Sequence, residues 1–351
     1  MPLYATYNSG LSAEENARIG KIATPLKMYI ESQSDLLRKQ GGPLDWLFNV
    51  ETSDRFAETI VGGNEFSEFE MVPEGGSAPN DTFGEIWKKI ITHDQFMKGF
   101  HITKTMMEDS NYKVTSEMTA RAGKFIRAYY LTRHSIATQM LTNATNSVVR
   151  YAGMDFDLTT MDEQPLFSNA HKFGAEGDTQ SNNFYFVGAN GPEASAMETV
   201  LAASASAMMD FNDDNGVPMG YNPDTIIIPS NRVALKLAVS KAAGSDQEPG
   251  TANNSINTQV GRWNIIVLPK WRTNKDEFLV MSSDANKDLL GNVFFDRAPL
   301  EIMDRIDLPT WNLDFSARCR FGAGFGNYRH ISRVEIVKSG SAAGATLLPT
   351  D

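Results

Sequence analysis

Apolar and polar positions follow several different rhythms along this chain, and each rhythm predicts its own element. Over 12–40, Ile19, Ile22, Leu26, Tyr29 and Ile30 recur at helical spacing in an otherwise polar segment. Ser12 with Glu15 has the capping-box spacing, and Gly41-Gly42-Pro43 ends the helix. Pro25 removes an internal hydrogen bond, so a kink or a break into two helices is expected there. A helix this polar suits a role lying across a neighbour. Residues 65–92 behave differently. Glu65 to Val72 partly alternates acidic and apolar side chains, 73–81 is rich in Pro and Gly, and Ile86 to Ile91 returns with Lys88 and Lys89. This predicts a long β-hairpin whose acidic outgoing arm faces a basic return arm. A lone two-stranded hairpin is marginal in water, so another subunit is the simplest cover for it.

Residues 96–106 read as a strand and 113–143 as the longest helix. Val114, Met118, Ala122, Phe125, Tyr129, Ile136 and Met140 form its apolar stripe. Lys113, Arg121, Lys124, Arg127 and Arg133 make that helix locally basic, either as a solvated face or as one aimed at acidic partners. From 188 onward helices and strands alternate: an Ala/Met-rich helix over 192–211, a strand at Ile226-Ile227-Ile228, a helix over 231–243, and strands over 263–269 and 277–281. Continuous apolar strands between helices predict an α/β sheet covered on both faces. The polar stretch 244–261 predicts a long mobile loop. Then come a short apolar run over 293–296, a Pro-flanked stretch over 300–306, a final strand near 330–338 and a frayed tail. No internal repeat is present.

Length changes the picture first: 351 residues exceed what one hydrophobic core usually organises, so two or more lobes are expected. Forty-three acids against 32 bases give a net charge of −11, which argues against a nucleic-acid reader working through a basic face. The N-terminus has no charged region followed by an apolar run, and no stretch is apolar enough to span a membrane, which predicts a soluble cytoplasmic product, or one released by lysis. Cys319 is the single cysteine, excluding an internal disulfide or a Cys-based zinc cluster, and it reads as a small buried side chain. The five histidines show no metal spacing. Asp210 to Gly216 starts like a calcium loop, but its glycine falls one place late and Tyr221 stands where a bidentate Glu belongs, so it reads as a turn. Gly322, Gly324 and Gly326 lack a following Lys-Ser/Thr pair and fit a bend with close backbone packing. No catalytic residue, cofactor site or metal site is assigned.

The order of these elements, with Leu166-Phe167-Ser168-Asn169-Ala170-His171, the strand motif from Tyr221 to Pro229 and Phe325-Gly326-Asn327-Tyr328-Arg329-His330, resembles the bacteriophage major capsid proteins of the Hong Kong 97-like fold, in the branch related to Mu-like head subunits. The resemblance implies an α+β capsid fold: an N-terminal arm over 1–49, an extended-loop hairpin region over 50–95, a peripheral domain over 96–187 with its spine helix at 113–143, an axial domain over 188–315, and a closing peripheral part with the tail over 316–351. It implies a structural protein, not an enzyme, that forms pentamers and hexamers in an icosahedral virion shell around double-stranded DNA. Assembly would take place in the host cytoplasm. Implied partners are a scaffolding protein, a portal and, where present, decoration proteins, with no membrane and no sequence-specific DNA contact. Expected inter-subunit contacts are Phe66, Phe69, Met71, Ile86, Trp87, Lys88 and Lys89 on the hairpin and Arg121, Lys124 and Arg127 on the helix. Some members crosslink through a hairpin Lys; here neither the partner Asn nor the assisting Glu is matched, so noncovalent assembly is expected. Fewer than about 65 residues precede the hairpin, short against a small domain, so a separate scaffold is expected. The alternatives are an encapsulin-like compartment shell and a cytoplasmic α/β enzyme.

Overall fold

The computed structural model describes residues 13–63, 69, 71–80, 85–108, 112–173, 177–188, 191–244, 257–307, 309–338 and 345–349. Helix Ala13–Gln40 runs through Pro25 without a break. A single missing N–H bond is tolerated there because Leu26, Tyr29 and Ile30 pack against Met118, Ala122 and Ile126 of helix Tyr112–Thr142, the spine helix. The helix expected to lie across a neighbour thus lies first across its own chain. The predicted cap at Ser12 lies outside the described residues.

Two sheets share the molecule. The first has four strands in the order Asn49–Thr52, Asn292–Asp307, Asn312–Phe325 and Asp94–Ile102, the first pair parallel and the others antiparallel. Its centre is a hairpin of 16- and 14-residue strands. The sequence breaks that hairpin into short pieces, because Pro299 and alternating charges mask a strand buried on one side only. The stretch expected as one strand over 96–106 divides into strand Asp94–Ile102 and helix Lys104–Glu108.

The second sheet has six strands in the order Asn264–Leu268, Thr225–Pro229, Asp276–Met281, Ile331–Val337, Asn183–Val187 and Thr346–Leu347. Alternate side chains along these strands serve two different cores. Ile226, Ile228, Phe278, Val280, Val334 and Ile336 meet helices Ala194–Met209 and Val233–Gly244. Ile227, Leu268, Leu279, Met281 and Ile331 join Leu44, Leu47, Ile136, Met140, Phe294, Phe321 and Phe325. The second face is therefore covered by the spine helix and the first sheet, not by a second helical layer of its own. Ile331–Val337, expected to close the peripheral part, sits in the middle of the six-stranded sheet. The tail is anchored at 345–349, where Leu348 is buried in the helix-side core. Of the predicted loop at 244–261, residues 245–256 lie outside the described residues. Its end is held: Asn257 and Gln259 are buried, and Gln259 accepts a hydrogen bond from Trp263 Nε1 at 2.9 Å. Among the described residues no helix is long and apolar enough to cross a membrane.

Candidate assembly interface

The long hairpin pairs Ala57–Gly63 with Glu85–Thr92. The outgoing strand is thus upstream of the segment 65–72 that alternation suggested. Residues 69 and 71–80 carry no strand, and 64–68 lie outside the described residues. The register places Ile60 opposite Lys89, Val61 opposite Lys88 and Glu58 opposite Ile91, so each charged residue stands opposite an apolar one in place of the expected acid-to-lysine pairing.

Alternation gives the hairpin an inner and an outer face. Ile60 and Ile91 are buried with Val293 and Phe295. Ile91 rests where Gly322 and Gly324 leave room: a Cβ on Gly322 would stand 2.5 Å from the Thr92 carbonyl oxygen, and one on Gly324 2.6 Å from Ile91 Cδ1. The close packing read from the glycine run is this seat. Lys89 is also on the inner face, buried, with its ammonium donating to Asp157 and, at 2.6 Å, to Thr159 Oγ1. Burial alone would raise the Asp157 carboxyl, but Lys89 and Thr159 hold it below the ordinary value. At the base, Ser53 Oγ donates to Glu58 at 2.6 Å and contacts His93 Nε2 at 3.0 Å. Burial lowers the affinity of His93 for a proton, against a smaller opposing pull from Glu58.

The expected contact residues therefore divide. Trp87 is half-buried and Lys89 is committed to Asp157, whereas Lys88 is exposed. Phe69 and Met71 are fully exposed. Phe66 lies outside the described residues, as does the side chain of Ile86. Val61, Ile90 and Phe56, which sequence reasoning passed over, are exposed apolar side chains at or beside the outer face. Register, not composition, decides which of these face outward.

On the spine helix, Arg121, Lys124 and Arg127 are exposed, and no ion-pair partner for them occurs among the described residues. Arg133 is not part of that face. It is buried in a two-pronged pair with Asp296, both bonds 2.8 Å, with its guanidinium 4.7 Å from the Phe294 ring centre. Beside the basic stripe an apolar groove of about 250 Å³ opens between the helix and edge strand Asp94–Ile102, lined by Phe96, Phe125, Tyr129, Leu300, Cys319 and Phe321 among others. Burial pushes the Cys319 thiol up to about 11, which keeps it protonated and unreactive.

Two of the recognised motifs meet at the junction of the lobes. His171 stacks on Tyr328 with ring centres 3.7 Å apart. Its Nδ1 lies 2.8 Å from Asp162 Oδ2 and its Nε2 3.1 Å from the Leu166 carbonyl, so both nitrogens face oxygen acceptors and neither addresses a nucleophile. Burial would raise the Asp162 carboxyl, but His171, Thr160 and the backbone at Gln164 lower it. Asn182 Nδ2 bonds the carbonyls of Leu166 and Ile331, and Arg329 pairs with Asp214 at 2.8 Å. Asp213 Oδ1 accepts from the backbone of Asn215 and Val217, so the calcium-like stretch is a self-capped turn. No group of His, Cys, Asp or Glu among the described residues is arranged to hold a metal. These contacts order a polar junction inside the fold.

Several solved structures are similar in outline. Mycobacterium phage Patience shares 13% identity over 98% of this chain and 93% of that one, with a TM-score of 0.49. The capsid of an empty GTA particle computed with C5 symmetry shares 10% over 84% and 90%, with a TM-score of 0.48. The capsid of the cyanophage P-SCSP1u shares 12% over 84% and 87%, with a TM-score of 0.47. No curated protein sequence matches. The family model described as phage capsid protein matches residues 88–334, without singling out a branch such as the Mu-like one. That span runs from within the return arm through the spine helix and most of both sheets, and the chain belongs to the phage capsid protein family.

Proposed function

We propose that the chain is a major capsid subunit of a virion. Copies of it would assemble as pentamers and hexamers into an icosahedral shell enclosing double-stranded DNA, inside the host cytoplasm, with a separate scaffolding protein, a portal and decoration proteins as partners. The role is structural, not catalytic. The observation that carries this beyond family membership is the hairpin. Its base is held on the first sheet through Ile60, Ile91 and the glycine seat and on strand Met154–Asp157 through Lys89, while Phe69, Met71, Val61 and Ile90 carry apolar surface into solvent. Exposed apolar surface on a firmly held projection supports contact with another subunit. An acidic subunit also suits a DNA container, since a basic wall would hold the genome tightly.

Assembly is noncovalent in this reading. Lys89 is committed to Asp157, and exposed Lys88 has no assigned acceptor. Expression alone and with a candidate scaffold, followed by sedimentation and negative-stain microscopy, tests the proposal. Closed particles, or rings of five and six that convert to shells, are the expected outcome. A monomer or dimer under every condition overturns it, and shells loaded with a protein cargo in place of DNA favour the compartment alternative.

A further inference from the structure

We propose that the groove between the spine helix and strand Asp94–Ile102 is a binding site for a small amphiphile, a hydrocarbon chain of medium length carrying one carboxylate. The chain lies among the aromatic walls and the carboxylate meets Lys98. The inference concerns the single folded subunit and does not depend on the shell reading above.

Three observations converge on it. First, the groove is built into the packing of helix on sheet. Aromatic pairs fill that layer elsewhere: Phe96 stacks on Phe321 with ring centres 4.3 Å apart, and Phe100 on Phe315 at 5.0 Å. Where the groove opens, Ala128, Ala152 and Ala317 stand in the lining instead, and these small side chains leave about 250 Å³. An apolar cavity of about 150 Å³ holds benzene, so this volume takes a chain of roughly eight to ten carbons. Walls without neighbouring atoms forgo dispersion contacts, which such a chain restores. Second, Lys98 stands where an apolar side chain belongs. Alternation along the strand sets it between Phe96 and Phe100, on the face that Phe100 turns to Phe125 of the helix. It lines the groove, and no ion-pair partner for it occurs among the described residues. An inward lysine also discourages a foreign strand from pairing at a sheet edge, but that task needs no cavity behind it. Third, the charges at the mouth have one sign. Among the described residues Lys98 is the one charged side chain in the lining, and exposed Arg121 and Lys124 stand one turn before Phe125 and Ala128. An apolar slot with a cationic lip selects a hydrocarbon body with an anionic head. A peptide would bring backbone amides that the apolar walls leave unpaired, and a nucleic acid would leave the slot unfilled.

The test is calorimetric titration of the unassembled full-length chain with octanoate, octanol and octyltrimethylammonium, each below its micelle-forming concentration. Octanoate is expected to bind one to one, with a dissociation constant on the order of 1 mM or tighter. It should bind at least about threefold more tightly than octanol, and the cationic probe should bind weakest. Affinity should rise about threefold per methylene from hexanoate to decanoate and level off beyond, as the slot fills. Two separate fillings, Ala128→Phe and Thr132→Phe, should each weaken octanoate binding by roughly tenfold, with thermal melting of the free variants showing that they fold. Lys98→Gln should bind octanoate and octanol alike. Absence of saturable binding to the unmodified chain overturns the proposal, as does full binding in both filled variants or equal affinity for octanoate and octanol. Loss of particles in Ala128→Phe, with no octanoate binding to the unmodified chain, also overturns it and gives the groove to a second copy. No titration requires assembly, so failure here and failure of the shell reading are separate results.

Discussion

Arg133 and Lys89 are both basic residues that composition places on a surface and the fold places inside. Arg133 sits six residues along from Arg127, which turns it to another side of the helix, and its guanidinium is stacked among Phe294, Phe321 and Tyr129 and paired with Asp296. Removing it leaves a carboxylate with little water around it, so Arg133→Leu should cost about 2–4 kcal/mol, read as a lower unfolding midpoint, whereas Arg127→Leu should change stability by less than about 0.5 kcal/mol. Equal effects from the two variants would contradict the burial argument. Titration adds a second expectation. His93 and His134 bind protons more weakly when folded, mainly because of burial, so the unfolded chain takes up protons first as pH falls below 6.5. Asp157 and Asp162 are also held below the ordinary carboxylate value of 3.8, so their stabilisation is present above that value and fades as pH drops through their lower folded values. All four push the same way. Melting temperature should decline from about pH 6.5 downward and fall more steeply below about pH 4, with Asp162→Asn shallowing the second phase. A flat profile down to pH 3 would refute it.

At the scale of elements, legibility follows how strongly each element depends on its own residues. The spine helix is readable because Met118, Ala122, Ile136 and Met140 repeat along 31 residues and are all buried. Thr225–Pro229 is readable because every position is buried. The outgoing hairpin strand is not, since Thr59-Ile60-Val61-Gly62-Gly63 is short and ends in glycines, while the acidic alternation just after it draws the sequence reading downstream. Its true place is set from outside, by Ile91 on Gly322 and Gly324 and by Lys89 on Asp157, contacts across more than 60 residues. The candidate contact surface was half legible for the same reason: the sequence names the hairpin, but only the register separates inward Lys89 from outward Lys88 and Ile90. Gly322→Ala should therefore unseat the hairpin, at about 2–3 kcal/mol, because the obstacle is a backbone carbonyl. Gly324→Ala should cost less, since the end of Ile91 can turn aside. Hydrogen exchange should quicken in Glu85–Thr92 for the first variant with the spine helix unchanged. Uniform quickening across both would mean the seat is part of the general core, not a local clamp.

For the whole molecule, assembly is predicted to leave no covalent trace: particles boiled in denaturant without reductant should run as 351-residue monomers, and a ladder would show a crosslink that the hairpin lysines here do not suggest. A separate scaffold predicts that the chain alone closes few correct shells, and efficient closure without one would count against it.

The core shared by the two sheets has a mechanical consequence. Side chains from both sheets and from the spine helix interlock in one apolar body, with the hydrogen bonds of His171 and Asn182 tying its polar margin, and packing this continuous leaves the lobes little freedom to pivot against each other. A shell made of such subunits is tiled with stiff plates. Load from a crowded interior passes through each plate with little deformation and arrives at the seams. Curvature, fatigue and rupture then become properties of the joints between plates, and the projecting hairpin is where stiffness could be tuned without redesigning the plate.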